Sequence, residues 1–262
     1  MNIIVCIKQV PNTAQVQLDP QTNTRIRQGL PSIINPDDKA ALTEALRQKE
    51  EKGAHVTALC MGPRQASLAL TEAIALGADE GILLCDSAFA GSDTLATAYL
   101  LSLAIRRIGG YDLILCGRQA IDGDTAQVGP ELAQRLDIPQ ISYVEAFTLQ
   151  AHTVLARQKW EDGYEIIRAE IPCLLTVMQN QKQGRLPNLP NLLKAFQTHE
   201  IQIWDKSHLR DLEIRRIGLE GSPTRVVRVF TPVQKGKCLR IEGDPKEAAA
   251  SLVNYLKKML TN

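Results

Sequence analysis

Continuous apolar runs alternate with segments of helical periodicity from the N-terminus to Pro139, a rhythm that predicts a mainly parallel, doubly wound α/β sheet. Asn2 to Lys8 is β-branched and apolar without polar alternation, the form of a central strand buried on both faces. Asn35-Pro36-Asp37-Asp38 opens a helix with acids in its first turn, Leu42, Ala45 and Leu46 on one face, and Lys49 and Lys52 before Gly53. His55 to Met61 and Gly81 to Cys85 read as strands, with a helix between them from Gly62-Pro63 to Leu76-Gly77. A further helix runs from Gly91-Ser92-Asp93-Thr94 to Ile108, with Ser92 or Asp93 as N-cap, and is apolar around most of its circumference. Asp112 to Cys116 is the fourth strand of the series, and a helix from about Thr125 to Leu136 follows it.

After Pro139 the pattern changes. Ile141 to Leu149, Thr153 to Gln158 and Tyr164 to Glu170 alternate as strands, with Glu161-Asp162-Gly163 as a hairpin turn, and Pro172 to Met178 is apolar enough to return to the main sheet. Gln15 to Gln28 suggests a small exposed hairpin around Asp19-Pro20. Gln179 to Asn191 is polar and proline-bearing, as in an exposed loop. Thr198 to Gly243 has poor periodicity, while Pro245 to Leu260 is an amphipathic helix. The expected organisation is an α/β nucleotide-binding domain over 1–190, carrying a β-hairpin insertion, and a C-terminal extension over 191–262.

Composition narrows the function classes. The chain of 262 residues has 30 Lys and Arg against 29 Asp and Glu, so no global charge draws it to nucleic acid or an anionic membrane. Its six cysteines form no C-x-x-C pair and read as reduced core thiols. The N-terminus lacks the features of a signal peptide and no apolar run reaches membrane-spanning length, so a cytoplasmic protein is expected. The four histidines have no metal-ligand spacing, and no nucleophile elbow is present.

The candidate chemistry lies after the fourth strand, in Cys116-Gly-Arg-Gln-Ala-Ile-Asp-Gly-Asp-Thr-Ala-Gln-Val-Gly-Pro130. Ligands of open α/β sheets bind at the carboxyl ends of strands, where helix N-termini present free N–H groups to an anion. Residues 9 to 28, after the first strand, hold no glycine, which excludes a P-loop or a G-x-G-x-x-G cradle there. Gly117 and Gly123 allow close backbone approach, and Asp124 with Gln127 is a plausible capping pair for the following helix. Asp122 and Asp124 would repel a phosphate unless turned away, so backbone amides must hold the anion. Gly91-Ser-Asp-Thr-Leu-Ala-Thr97 is a second small, hydroxyl-rich helix start, and Gly221-Ser-Pro-Thr224 is a third such segment.

At these residues the chain resembles the β subunits of the electron transfer flavoprotein family over essentially its whole length. The matching stretches are Val5-Cys-Ile-Lys-Gln-Val10, Asn35-Pro36, Met61-Gly62-Pro63 and Gly77-Ala78-Asp79. The most specific are Gly117 to Pro130 and Glu161-Asp162-Gly163-Tyr164-Glu165 through Pro172-Cys-Leu-Leu-Thr176. Gln158 departs from the basic residue usual in that signature and is flanked by Arg157 and Lys159.

The resemblance implies an adenine nucleotide α-hydrolase-like, Rossmann-like fold and a heterodimer with a larger α subunit that carries one FAD. In simple members the β subunit holds AMP without a redox role. In electron-bifurcating members a second FAD takes an overlapping site and accepts hydride from NADH. The segments 91–97, 121–130 and 221–224 are similar to the bifurcating versions, with Gly123 and Thr125 the informative positions. By position, Cys6, Asn35, Met61, Gly117, Arg118, Gln119, Asp122, Gly123, Asp124, Thr125, Ala126, Gln127 and Val128 would bind the adenine nucleotide portion. Thr94, Thr97 and Thr224 would lie toward the flavin, with no side chain required as acid or base. Arg185 to Lys194 matches a recognition loop for acyl-CoA or related flavin dehydrogenases, with Leu189 as its apolar anchor. Electrons would pass to the α-subunit FAD and the dehydrogenase, and to ferredoxin or flavodoxin. The alternatives are a non-bifurcating subunit with a structural AMP, and a nucleotide-binding module without redox function.

Overall fold

Side chains along β1 (Asn2–Ile7) alternate between two separate cores: Ile3, Val5 and Ile7 face one, Ile4 and Cys6 the other. A strand covered on both faces must be apolar at every position, which is why this run carries no polar alternation. The structure, a computed structural model, describes residues 1–12, 32–179, 185–198, 201–227 and 240–260. The hairpin expected at 15–28 lies outside the described residues.

After β1 come a short antiparallel pair, β2 (Gln9–Pro11) and β3 (Ser32–Ile34), then α1 (Pro36–Lys52), β4 (His55–Met61), α2 (Ser67–Leu76) and β5 (Glu80–Leu84). α3 (Thr94–Ile108), β6 (Leu113–Gly117) and α4 (Val128–Leu136) follow. The second half contributes β7 (Gln140–Gln150), β8 (Thr153–Lys159), β9 (Tyr164–Glu170), β10 (Cys173–Val177), α5 (Leu189–Leu193) and β11 (Gln202–Trp204). The last element is α6 (Pro245–Leu260).

Among the described residues the main sheet has nine strands in the order β11-β5-β4-β1-β6-β10-β7-β8-β9. It is parallel from β11 to β7, and the β7-β8-β9 meander continues it antiparallel. The fold is therefore the expected doubly wound α/β sheet with a hairpin insertion. From β1 the chain first builds outward through β4 to β5, then β6 starts on the other side of β1. That reversal makes a topological switch point between β1 and β6, where loops part and leave a crevice at the carboxyl edge. Leu42, Leu46, Leu70 and Ile74 of α1 and α2 fill one core; Leu100, Ile105 and Leu132 of α3 and α4 fill the other. Each such side chain contributes roughly 1.5–3 kcal/mol on burial.

Three local readings are corrected. α4 begins at Val128 rather than Thr125, because Asp124 and Ala126 both have φ of 55°, a left-handed backbone that a right-handed helix excludes. β11 adds a parallel strand beside β5 from a stretch read as irregular, since three residues carry no readable period. α5 occupies part of the stretch read as loop, capped by Asn188, which accepts from the Asn191 N–H at 2.8 Å.

The chain divides into two compact units, Met1–Val227 and Arg228–Asn262, and the boundary expected at 190/191 falls inside the first. In the second, Asp244 accepts the N–H groups of Lys246 and Glu247 and so starts α6. No described helix is long and apolar enough to cross a membrane.

Candidate functional site

The loop 118–127 joins β6 to α4 at the switch point, and the buried polar side chains of Asn35, just before α1, and Asp38, in α1, hold its first half and the strand end before it. Asn35, fully buried before α1, accepts from the Ile121 N–H at 3.0 Å and donates to the Gln119 carbonyl at 2.8 Å. Its side chain therefore shapes the loop, and its own N–H is bound to the Lys8 carbonyl at 2.9 Å. Asp38, one turn into α1, accepts from the Lys8 N–H at 2.8 Å and from the Gly117 N–H at 3.1 Å, joining the exits of β1 and β6. Burial pushes its carboxyl up to about 7, against the lowering effect of those hydrogen bonds. A Cβ on Gly117 would stand 2.2 Å from Asp38 Oδ1, so only glycine permits this approach.

The charges that conflicted with an anion site are answered within the protein. Lys8 Nζ lies 2.6 Å from Asp122 Oδ1, and Asp124 accepts from the Gln119 side-chain amide. Arg118 Nε lies 3.3 Å from Asp37 Oδ2, so its guanidinium is drawn toward α1. Asp124 and Gln127 do not form the expected capping pair: no side chain caps α4, because Asp124 is held by Gln119 and Gln127 lies beside Thr94.

What the loop presents is backbone. Gly123 and Asp124 donate to the Ala120 carbonyl at 3.2 and 2.8 Å, closing a tight turn. Beyond it, left-handed Asp124 and Ala126 flank Thr125, the alternation of hand found in anion-binding nests. Among the described residues, the N–H groups of Thr125, Ala126 and Gln127 have no acceptor. The first-turn N–H groups of Val128 and Gly129 have none within the helix, while Pro130 offers no N–H. A Cβ on Gly123 would meet nothing within 4 Å, so open space adjoins the turn. Unfilled donors, settled charges and a clear approach fit the phosphate and ribose of an adenine nucleotide. Strain at two non-glycine left-handed residues, of order 1–3 kcal/mol each, is the kind that persists where a ligand site requires it.

Cys6 and Cys116 are register partners at the carboxyl ends of β1 and β6, both nearly buried on the face covered by α3 and α4. Their mutual contact and burial raise the Cys116 thiol well above its usual range, making it a packing group rather than a nucleophile. The five described cysteines are free, and Cys238 lies outside the described residues. Met61 ends β4, where the Gly62 N–H donates to the Leu84 carbonyl at 3.1 Å.

The α3 start is the second part of the site. Asp93 caps α3 by accepting from the Ala96 N–H at 3.1 Å and also accepts from the Thr224 N–H at 3.0 Å. Buried Ser222 accepts from the Asp93 N–H at 2.8 Å and lies 2.7 Å from the Gly218 carbonyl. These bonds bring the Thr224 backbone to the start of α3, where Thr97 lies one turn beyond Thr94 on the same face of the helix. Thr94 Oγ1 is 3.4 Å from Gln127 Oε1, so the α3 start adjoins the far end of the loop. Sequence reading passed over Lys8, Asp38 and Glu131, gave Asp93 only as an N-cap candidate, and gave Ser222 only as part of the hydroxyl-bearing segment 221–224. Asp38 had a signal in the doubled Asp37-Asp38, whereas partners more than a hundred residues apart left none.

Leu189 sits apart from this edge, in the first turn of α5. Arg185 Nε donates to the Leu76 carbonyl at 2.9 Å, and Leu192 packs against the α1–α2 core. Leu189 is left 68% exposed, with Leu186, Leu193 and Phe196 also exposed.

Residues 22–204 match the family described as Electron transfer flavoprotein domain. The chain is 49% identical over 258 residues to the electron transfer flavoprotein subunit beta of Clostridium acetobutylicum, covering 98% of each chain. It is 45% identical over 260 residues to the caffeyl-CoA reductase-Etf complex subunit CarD of Acetobacterium woodii, again covering 98% of each. It is 43% identical over 263 residues to the acryloyl-CoA reductase electron transfer subunit gamma of Anaerotignum propionicum, with 98% of each covered.

Proposed function

The chain belongs to the electron transfer flavoprotein family as a β subunit, and on that premise we propose that it is the FAD-binding, NADH-oxidising subunit of an electron-bifurcating heterodimer. Its partner in the heterodimer is an α subunit with its own FAD. The complex works in the cytoplasm and delivers electrons to an acyl-CoA-type flavin dehydrogenase and to ferredoxin or flavodoxin. When bound, FAD supplies hydride acceptance and one-electron release.

This chain's residues bind and orient. The N–H groups of Thr125 to Gly129 receive the phosphates, Asn35 and Asp38 hold the loop in its open form, and Lys8 keeps Asp122 from opposing the anion. Cys6, Met61 and Cys116 give the carboxyl edge an apolar floor. The observation that carries FAD over AMP is the polar α3 start at the far end of the loop, where the Thr94 hydroxyl adjoins Gln127 and Asp93 holds the Thr224 backbone. AMP ends at its single phosphate and has no use for that extension, whereas a dinucleotide's ribityl chain and ring need polar contacts there. The names of two relatives, subunits of caffeyl-CoA and acryloyl-CoA reductase systems, support a dehydrogenase acting on a CoA thioester. Leu189, exposed on a helix that Leu192 and Arg185 fix in place, suits docking on that partner.

The test is an assay of the purified heterodimer with NADH, ferredoxin and the cognate dehydrogenase with its enoyl-CoA acceptor. Bifurcation requires ferredoxin reduction that stops when the acceptor is omitted. NADH-independent carriage of electrons with no ferredoxin reduction would exclude it.

A further inference from the structure

Thr94 Oγ1 stands 3.2 Å from Glu131 Oε1 and 3.4 Å from Gln127 Oε1, yet a hydroxyl has one proton to give. Glu131 Oε2 is shut off from solvent and has no hydrogen-bond partner among the described residues. An ionised carboxylate only accepts, so Thr94 must donate to Glu131, and the Gln127 amide turns its NH₂ toward the hydroxyl or yields the position. Either way the Thr94 oxygen keeps a lone pair free to accept.

We propose that Glu131 is a positioning residue that acts through Thr94, fixing its hydroxyl as an acceptor for an N–H or O–H donor at the flavin end of the bound nucleotide. This rests on the reading of the site as one for FAD. AMP, which ends at the loop, makes no such contact, so Glu131 discriminates between the two ligands without touching either. The groups around it define its charge. Asp93 and Thr94 face it from the start of α3, Gln127 precedes it, and Arg135 lies one turn on in α4. Arg135 lies over the Tyr99 ring, which Arg216 also covers, and burial lowers the Arg135 pKa, with the charge of Arg216 adding to the fall. Burial raises the Glu131 carboxyl, with Asp93 adding to the rise and Thr94 and Arg135 opposing it. Protonated, Glu131 donates to Thr94 and reverses the direction of the hydroxyl, so FAD affinity falls as pH drops through its titration.

The experiment is a double-mutant cycle on the nucleotide-free heterodimer, titrated with FAD and separately with AMP, for wild type, Glu131→Leu, Thr94→Val and the double variant. The expected result is a loss of FAD affinity of about tenfold for each single variant and no further loss in the double. AMP affinity is unchanged throughout, which also reports that each variant is folded, and the acid-side fall in FAD affinity disappears in Glu131→Leu. Losses that multiply in the double variant, or an equal loss of AMP affinity, overturn the role of Glu131 while leaving FAD binding intact. A wild type that takes up AMP and not FAD overturns both this role and the function it rests on.

Discussion

The Lys8 ammonium lies 2.6 Å from Asp122 Oδ1, tying the exit of the central strand to the loop that follows its neighbour. The pair spans the switch point and removes the main electrostatic objection to an anion at this loop. Lys8→Met is expected to weaken adenine nucleotide binding roughly fivefold, a modest effect because Lys8 is half exposed. Adding Asp122→Asn should restore most of it. Calorimetric titration of the four proteins checks this, and a loss that the second substitution deepens would contradict it.

Asn35 spends both ends of its buried amide on the loop. Asn35→Ala leaves the Gln119 carbonyl and the Ile121 N–H without that partner, at an expected cost of about 2–3 kcal/mol in urea unfolding. Nucleotide should be lost before the fold is.

The two loop glycines separate fold from ligand. Gly117→Ala would force a methyl group to 2.2 Å from Asp38 Oδ1 and should destabilise the protein by more than about 3 kcal/mol. Gly123→Ala meets open space, so thermal stability should stay within about 0.5 kcal/mol while nucleotide affinity drops. Unchanged nucleotide affinity in Gly123→Ala would mean that the space beside Gly123 has no ligand role.

Asp38 makes stability depend on pH in the sense opposite to a salt-bridged carboxylate. Its folded value of about 7 exceeds the ordinary 3.8, so between these the native state holds a proton that the unfolded chain has released. Stability from this group is full below about 4 and is lost as pH rises to about 7. The melting temperature of the wild type relative to Asp38→Asn should therefore fall from pH 5 to pH 8; a rising difference would contradict the assignment.

Leu189→Ala is expected to slow electron transfer to the partner dehydrogenase about tenfold, from the apolar area lost at docking, with flavin content unchanged. Flavin loss would mark the α5 segment as internal support.

Periodicity made the sheet legible because β1, β4, β5 and β6 are buried on both faces and the helices between them bury apolar residues at helical spacing. The loop was legible as a site through its glycines and its place after a strand. Its mechanism was not, since Asn35 to Ile121, Lys8 to Asp122 and Asp93 to Thr224 are contacts that only the fold creates. The misplaced start of α4 has a related cause: Asp124 and Gln127 have the spacing of a cap, but the left-handed turns at Asp124 and Ala126 send both side chains elsewhere. β11 was hidden because its three residues join the edge beside β5 through register alone.

The most direct measurement is the nucleotide content of the purified heterodimer, released by denaturation and quantified by chromatography. Binding of FAD by this subunit predicts two FAD per heterodimer and no AMP. One FAD with one AMP would contradict it.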